Sequence, residues 1–373
     1  MFYNNYMESY YTGPICNIKV LGVGGAGNNA VNRMIDAGLT GCEYIAVNTD
    51  KQVLQLSKAQ KTLVIGEKLT RGLGAGSNPE TGQKAAEESR DQIEELLKGS
   101  DLVFITSGMG GGTGTGASPV IASIARQLGI LTIAVVTKPF EFEGAHRILN
   151  ADIGISNINK FVDSCVVVPN QKLIENATET TTMMKAFEMA DDVLRQAVHS
   201  ITDLIMTPME INLDFSDISN VMRDAGVAHM GVGRANGKDR LLQAIRQAVS
   251  SPLLETSING ATKLIVSVKG GIDLNVLEVA NCGELVRQVV DQGCNIKLGV
   301  DINQAYNDEV QVIIIATGFP RVGMNRVAPS VTQAPIQSNI PVQDTVSAAP
   351  AAAQQKPRQE DDLPPYLRKL QGS

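Results

Sequence analysis

The segment 108–118 reads Gly-Met-Gly-Gly-Gly-Thr-Gly-Thr-Gly-Ala-Ser and lies between an apolar run at 101–106 and a helical-looking stretch at 119–128. A strand, a glycine–threonine loop and a helix start together make a phosphate cradle. Glycine lets the backbone turn with positive φ and approach a ligand closely. The following helix offers unpaired N–H groups and the positive end of its dipole to an anion. Threonine hydroxyls add donors without adding charge. No lysine follows in a GK[ST] ending, so this is not a Walker-type P-loop. Six glycines within nine residues would be a large entropic cost for an ordinary surface turn.

A second glycine run, Gly22-Val-Gly-Gly-Ala-Gly-Asn28-Asn29, also follows a strand and opens a helix. By itself it fits a dinucleotide fingerprint, with Asp50 on offer as the ribose-binding acid. Two phosphate-facing loops in one sheet suit a mononucleotide triphosphate better than a pyrophosphate. The oxidoreductase reading also lacks a convincing hydride-transfer His or Lys in the second half of the chain. A third loop, Arg71-Gly-Leu-Gly-Ala-Gly-Ser-Asn-Pro79, either closes over a γ-phosphate or is a plain connection; composition does not separate the two.

The elements that must hold these loops alternate in type. Short apolar runs predict strands at 18–22, 43–48, 62–65, 102–106, 131–137 and 164–169, with helices at 28–37, 81–97, 118–128 and 145–159 between them. This alternation predicts an α/β fold with a parallel sheet wrapped on both faces. A long helix follows at 183–205. Met183, Phe187, Ala190, Leu194, Ala197, Ile201 and Leu204 fall at three- and four-residue steps along it, one apolar stripe. Thr181 and Thr182 are cap candidates and Pro208 ends it. A second, smaller α/β pattern has strands at 227–234, 263–269, 295–300 and 311–317, with helices at 218–224, 240–250 and 275–291.

Composition changes after residue 319. Residues 320–355 are rich in Pro, Ala, Gln, Val and Ser and nearly uncharged, which reads as a disordered linker. Near the end, Leu363, Tyr366, Leu367 and Leu370 sit at i, i+3, i+4 and i+7, with acids in front and bases behind. A short amphipathic helix on a tether is a helix-in-groove ligand for a partner; the alternative is a solubilising tail. The expected organisation is a flexible arm at 1–14, a nucleotide-binding domain at 15–180, a central helix at 181–206, a C-terminal domain at 207–319, a linker at 320–360 and a partner-binding peptide at 361–373.

Bulk composition narrows the classes. The chain has 373 residues, 43% of them apolar, and a net charge of −7, which argues against an electrostatic grip on nucleic acid or anionic lipid. Five cysteines without a CxxC pair fit reduced thiols in a cytosolic protein. His146, His199 and His229 form no zinc-spaced cluster, so no protein metal site is expected. The first residues lack the basic and apolar regions of a signal peptide, and no apolar stretch reaches membrane-spanning length.

The string 108–116 resembles the tubulin-type signature GGGTG[ST]G. Together with Asn48-Thr-Asp50, Thr70-Arg-Gly-Leu-Gly-Ala-Gly76, Pro139-Phe140, Phe142-Glu-Gly144 and Asn212-Leu-Asp-Phe-Ser-Asp217, the chain resembles the FtsZ family of tubulin-like bacterial division GTPases from about residue 15 to 319. The terminal peptide matches separately. The resemblance implies a tubulin-like, Rossmann-type GTPase domain, GTP and GDP as ligands, and Mg²⁺ held mainly by phosphates and water. It implies that Gly25, Ala26, Gly27, Asn28 and Asn29 contact the phosphates and nearby groups, with Ala75 and Gly76 from the third loop. Gly112, Thr113 and Gly114 would wrap the α- and β-phosphates, and Thr137, Glu143 and Arg147 would line the ribose and phosphate side. Asn170 and Asp191 would read guanine while Phe187 stacks on it. Without the resemblance, core packing for Phe187 and a solvated charge for Asp191 are the plainer readings.

The same resemblance makes Asn212, Asp214 and Asp217 the catalytic segment; in isolation, two aspartates in a loop are helix caps. A helix rises about 1.5 Å per residue, so the end of the long helix lies roughly 20 Å from Asp191 along its axis. The acids would therefore act on a nucleotide bound to a neighbour, orienting and polarising the attacking water, and a head-to-tail contact that does not close makes a filament. Further implied partners are membrane-anchoring adaptors of the FtsA or SepF-like kind through Leu363, Tyr366, Leu367 and Leu370, at the division site on the inner face of the membrane, with no nucleic acid and no direct membrane insertion. Ala145-His146, Asp152-Ile153 and Met209-Glu210 depart from the usual pattern, which predicts slower or less cooperative turnover.

Overall fold

The computed structural model describes residues 16–174, 181–207, 209–251, 258, 260–287, 293–303, 306 and 308–319. The N-terminal arm, Pro208, the linker and the terminal peptide with Leu363, Tyr366, Leu367 and Leu370 lie outside the described residues.

Strands β1 (Ile18–Val23), β2 (Cys42–Asn48), β3 (Lys61–Val64), β4 (Leu102–Gly108), β5 (Leu131–Lys138), β6 (Ser164–Pro169), β7 (Gly226–Asn236), β8 (Lys263–Gly270), β9 (Asn295–Ile302) and β10 (Glu309–Thr317) form one sheet in the order β3-β2-β1-β4-β5-β6-β7-β10-β8-β9. Every pairing from β3 to β7 is parallel. Their unbroken apolar runs follow from burial on both faces. Helix Gly24–Asp36 and the long helix Met183–Met206 cover one face. Helices Pro79–Glu88, Arg90–Leu97, Thr113–Gln127 and Ala145–Ile158 cover the other.

The two α/β patterns read separately in the sequence share β7. Its first residues pair in parallel with β6 (Ser164↔Gly226 to Val166↔Ala228), and the rest pairs antiparallel with β10. A long strand thus carries the sheet from the first half into the second. There helices Arg240–Val249 and Val276–Arg287 cover the face opposite the long helix.

Helix boundaries differ from expectation where glycines are involved. The helices expected to start at 28 and 118 begin at Gly24 and Thr113. Glycine weakens helices by propensity, but packing overrides it here. A Cβ on Gly116 would stand 1.9 Å from Pro79 O, and one on Gly82 would stand 2.3 Å from Gly112 O, so two helix backbones meet that no side chain could separate. The helix expected over 81–97 breaks at Ser89, whose Oγ accepts the Gly66 N–H at 3.0 Å. Thr182 caps the long helix, accepting from Lys185 N at 3.2 Å. Along its stripe Ala190, Leu194, Ala197, Ile201 and Leu204 are buried, whereas Met183 and Phe187 are exposed.

Candidate functional site

Parallel sheets place ligands at the carboxyl ends of their strands, where the chain turns into helices. Here a cleft of about 430 Å³ lies beyond β1, β4, β5 and β6. Gly24 at φ +73° turns the chain from β1 into the Gly24–Asp36 helix, and Gly110 at φ +105° makes the bend after β4. The N-termini of the Gly24–Asp36 and Thr113–Gln127 helices both border the cleft, and neither has a capping side chain. Two sets of first-turn N–H groups without intrahelical partners suit the cleft to an anion by backbone alone.

Gly25, Ala26, Asn29, Gly112, Thr113, Gly114, Thr137, Glu143, Arg147, Asn170, Phe187 and Asp191 line this cleft together. Gly27, Asn28, Ala75 and Gly76 are not in its wall. Gly27 lies against the sheet, where a Cβ would be 2.4 Å from Thr106 O. The buried Asn28 amide donates to Gly22 O at 2.9 Å and accepts from Asn48 Nδ2 at 2.7 Å, bracing the first loop to β2. Ala75 is buried against Gly112, and from the third loop Ser77 reaches the cleft instead. Sequence reasoning missed Gly24, Ser77, Gly108, Met109, Gly111, Pro139 and Ala190 as lining residues. Gly111 has open space where a side chain would stand, and its place inside the signature was the available signal.

Threonine hydroxyls contribute less to the cradle than expected. Thr115 Oγ1 accepts from Gly110 N at 2.8 Å, and Thr113 Oγ1 shares a 2.7 Å hydrogen bond with Thr49 Oγ1. Both shape the loop. Asp50, the acid a dinucleotide site would need, caps a short helix by accepting from Gln52 N and Val53 N.

At the other end of the cleft, Phe187 is 43% exposed, which the core-packing reading does not allow. Phe140 and Phe142 pack edge-on against it at 5.5 and 6.3 Å. Asn170 is buried, and its Oδ1 has no hydrogen-bond partner. A buried acceptor left open costs free energy, so this oxygen fits a donor supplied by a ligand. Asp191 is likewise buried and accepts from Arg33 Nε at 3.0 Å. Burial pushes its pKa up to about 6 despite the opposing pull of Arg33. Glu143 accepts from Phe140 N at 2.9 Å and pairs with Arg147.

Asn212, Asp214 and Asp217 are not in the cleft. They follow the far end of the long helix, where Met206 packs over Gly41 just before β2 begins. Asp214 does cap the next helix, accepting from Asp217 N at 2.7 Å. The segment is stitched to β9: Ile211 and Val300 exchange backbone hydrogen bonds, and Glu210 accepts from Ile302 N at 2.9 Å. The departures Met209 and Glu210 thus take part in that junction, Met209 against the glycine edge at Gly299.

A larger cavity of about 580 Å³ lies between the long helix and β7, β8 and β10. It has no glycine loop and no helix N-terminus; in its wall Lys269 pairs with Asp203, Arg195 pairs with Asp192 beside it, and Arg234 faces Gln311 Oε1 at 3.5 Å. Among the described residues no group of three or more His, Cys, Asp or Glu side chains is placed to hold a metal ion, and no helix is long and apolar enough to cross a membrane.

Comparison with known proteins agrees with this geometry. Residues 17–178 match the Tubulin/FtsZ family, GTPase domain, and residues 226–320 match the FtsZ family, C-terminal domain. An empty FtsZ dimer from M. jannaschii is 42% identical with a TM-score of 0.76, over 81% of this chain and 88% of that one. The chain belongs to the FtsZ family. A tryptophan-to-tyrosine mutant of the M. jannaschii FtsZ is similar at 42% identity and a TM-score of 0.77, over 82% and 91% of the two chains. CetZ1 from Haloferax volcanii, a GDP-bound monomer, shares the fold at 21% identity and a TM-score of 0.72, over 82% and 95%. The GTPase-domain match contains all three glycine loops. The end of the long helix and the Asn212–Asp217 acids fall between the two matched regions.

Proposed function

We propose that this protein binds and hydrolyses GTP at a site completed by a second copy, and that it assembles head-to-tail into filaments of the bacterial division ring. The reading rests on one observation: the cleft lies at the carboxyl ends of the strands, while Asp214 and Asp217 follow the opposite end of the long helix. Met206 lies fifteen residue steps along the helix from Asp191, about 22 Å along the axis. Acids at that distance meet a γ-phosphate only when it belongs to a neighbour.

In this reading the uncapped helix starts at Gly24 and Thr113 hold the phosphates. Ionised Asp191 accepts from guanine N1–H and the 2-amino group, Asn170 Oδ1 takes a further donor, and Phe187 lies against the base. Adenine lacks both donors that Asp191 requires. Mg²⁺, held mainly by phosphates and water, would spread the charge of the phosphate groups. The neighbour's Asp214 and Asp217 orient and polarise the attacking water, with Asn212 alongside, so the chain's task is placement and charge management. Loss of the γ-phosphate then weakens the contact. One CetZ2 structure from Haloferax volcanii, 21% identical to this chain with a TM-score of 0.68, is a GTPγS-bound protofilament, which supports filament formation for this fold. The peptide at 361–373 would tether such filaments to membrane-anchored adaptors of the FtsA or SepF-like kind, on the cytoplasmic side.

The test is GTP turnover per molecule across protein concentrations. It rises steeply with concentration if two copies share the site; a rate unchanged on dilution defeats the reading. Asp217→Ala binds GTP and does not hydrolyse it, and Asp191→Ala keeps the acids but loses the base. Mixing the two restores turnover only if acids and nucleotide come from different copies.

A further inference from the structure

We propose that Lys297 is a positioning residue for Asp217, carrying a positive charge into the contact between copies so that the acids can approach a triphosphate. The inference rests on the shared-site reading above and adds a regulatory charge to it. Glu210, Asp214 and Asp217 put three carboxylates in one short segment. In a shared site that segment meets a highly anionic ligand. Like charges at contact distance repel even in water, and more strongly as the contact excludes water. Carboxylates brought there alone would oppose the assembly they are meant to serve.

A cation accompanies them. Lys297 Nζ is 2.7 Å from Asp217 Oδ1. Both Asp217 and, more weakly, Asp214 hold its ammonium in the charged form. The placement follows from β9. Ile296 and Leu298 pack into the core on one face, so strand alternation turns Lys297 and Gly299 to the other. A Cβ on Gly299 would stand 3.0 Å from Leu213 Cδ1; its absence lets the loop settle on the strand and brings Asp217 to the lysine. Neighbouring lysines are engaged elsewhere. Lys269 is buried with Asp203 and Asp301, and Lys263 donates to Asn220 O at 2.6 Å. Among the described residues Lys297 is the cation in contact with these acids.

An exposed ion pair contributes little to folding, so the role is read from turnover and its salt dependence. Lys297→Met and Lys297→Arg are compared with the wild type in the full chain. Lys297→Met is expected to bind GTP normally and to turn over about three- to tenfold more slowly at low salt. That gap should close as KCl is raised and the screening length falls below about 8 Å. Lys297→Arg should stay near wild type. Wild-type turnover by Lys297→Met at low salt overturns the proposal, as does a deficit equal at every salt concentration or a loss of GTP binding. The shared-site reading fails separately: it falls if wild-type turnover per molecule ignores dilution, whereas concentration-dependent turnover that Lys297→Met shares at low salt removes only the role of Lys297.

Discussion

Arg33 and Asp191 meet across 158 positions of sequence, the guanidinium Nε donating to Asp191 Oδ2 at 3.0 Å. The contact joins the helix that opens the first glycine loop to the long helix that carries Phe187. It therefore ties the proposed phosphate end of the cleft to the proposed base-reading end. It also opposes the burial that pushes the Asp191 pKa up to about 6.

That elevated pKa should give nucleotide binding a pH dependence. In the proposed reading Asp191 accepts from guanine, which it can do only as a carboxylate. GDP affinity should therefore hold near pH 7 and fall as pH drops through about 6, approaching tenfold per unit below it. The effect on stability has the opposite sign. A folded-state pKa above the unfolded value favours the folded form when protonated. The nucleotide-free protein thus gains from Asp191 as pH falls from 7 towards 5. Titrations of GDP across this range check the first point, and a flat profile would contradict guanine reading by Asp191.

Arg33→Ala removes the guanidinium that favours the Asp191 carboxylate. The midpoint for GDP binding should move to higher pH, and affinity at pH 7 should fall about threefold to tenfold, as for loss of a charge-assisted hydrogen bond in a partly exposed setting. Binding isotherms at pH 7 and pH 8 separate this from unfolding, because the deficit should shrink at the higher pH.

Asn170 Oδ1 has no partner to lose. Asn170→Ala should leave the melting temperature of the nucleotide-free protein within a few degrees of wild type while weakening GTP binding by about 1–3 kcal/mol. Calorimetry with and without nucleotide measures both. A large loss of stability without nucleotide would mean that the amide serves the fold instead.

Two glycines of the signature should respond oppositely. A Cβ on Gly116 would meet Pro79 O at 1.9 Å, whereas Gly111 has open space. Gly116→Ala should cost about 1–3 kcal/mol of stability as its helix is forced from its neighbour. Gly111→Ala should leave the fold intact and act on nucleotide affinity. Denaturant unfolding of both variants decides this.

The alternation of strands and helices, the stripe of the long helix and the positions of the first two glycine loops described were legible in the residues alone. These are local properties, carried by apolar periodicity and by residues such as Gly24 that hold one backbone conformation cheaply. Whatever depends on distant backbones meeting came only with the fold. Packing drew the helix starts back to Gly24 and Thr113: Gly27 lets the first helix lie against Thr106 of β4, and Gly82 and Gly116 let two other helices touch where propensity opposed them. It made β7 a member of both halves of the sheet. It engaged Thr113 and Thr115 within the cradle, and it assigned Arg33 to Asp191 and Lys297 to Asp217. Such pairings are set by where the sheet register and helix packing carry each side chain, and no spacing along the chain encodes them.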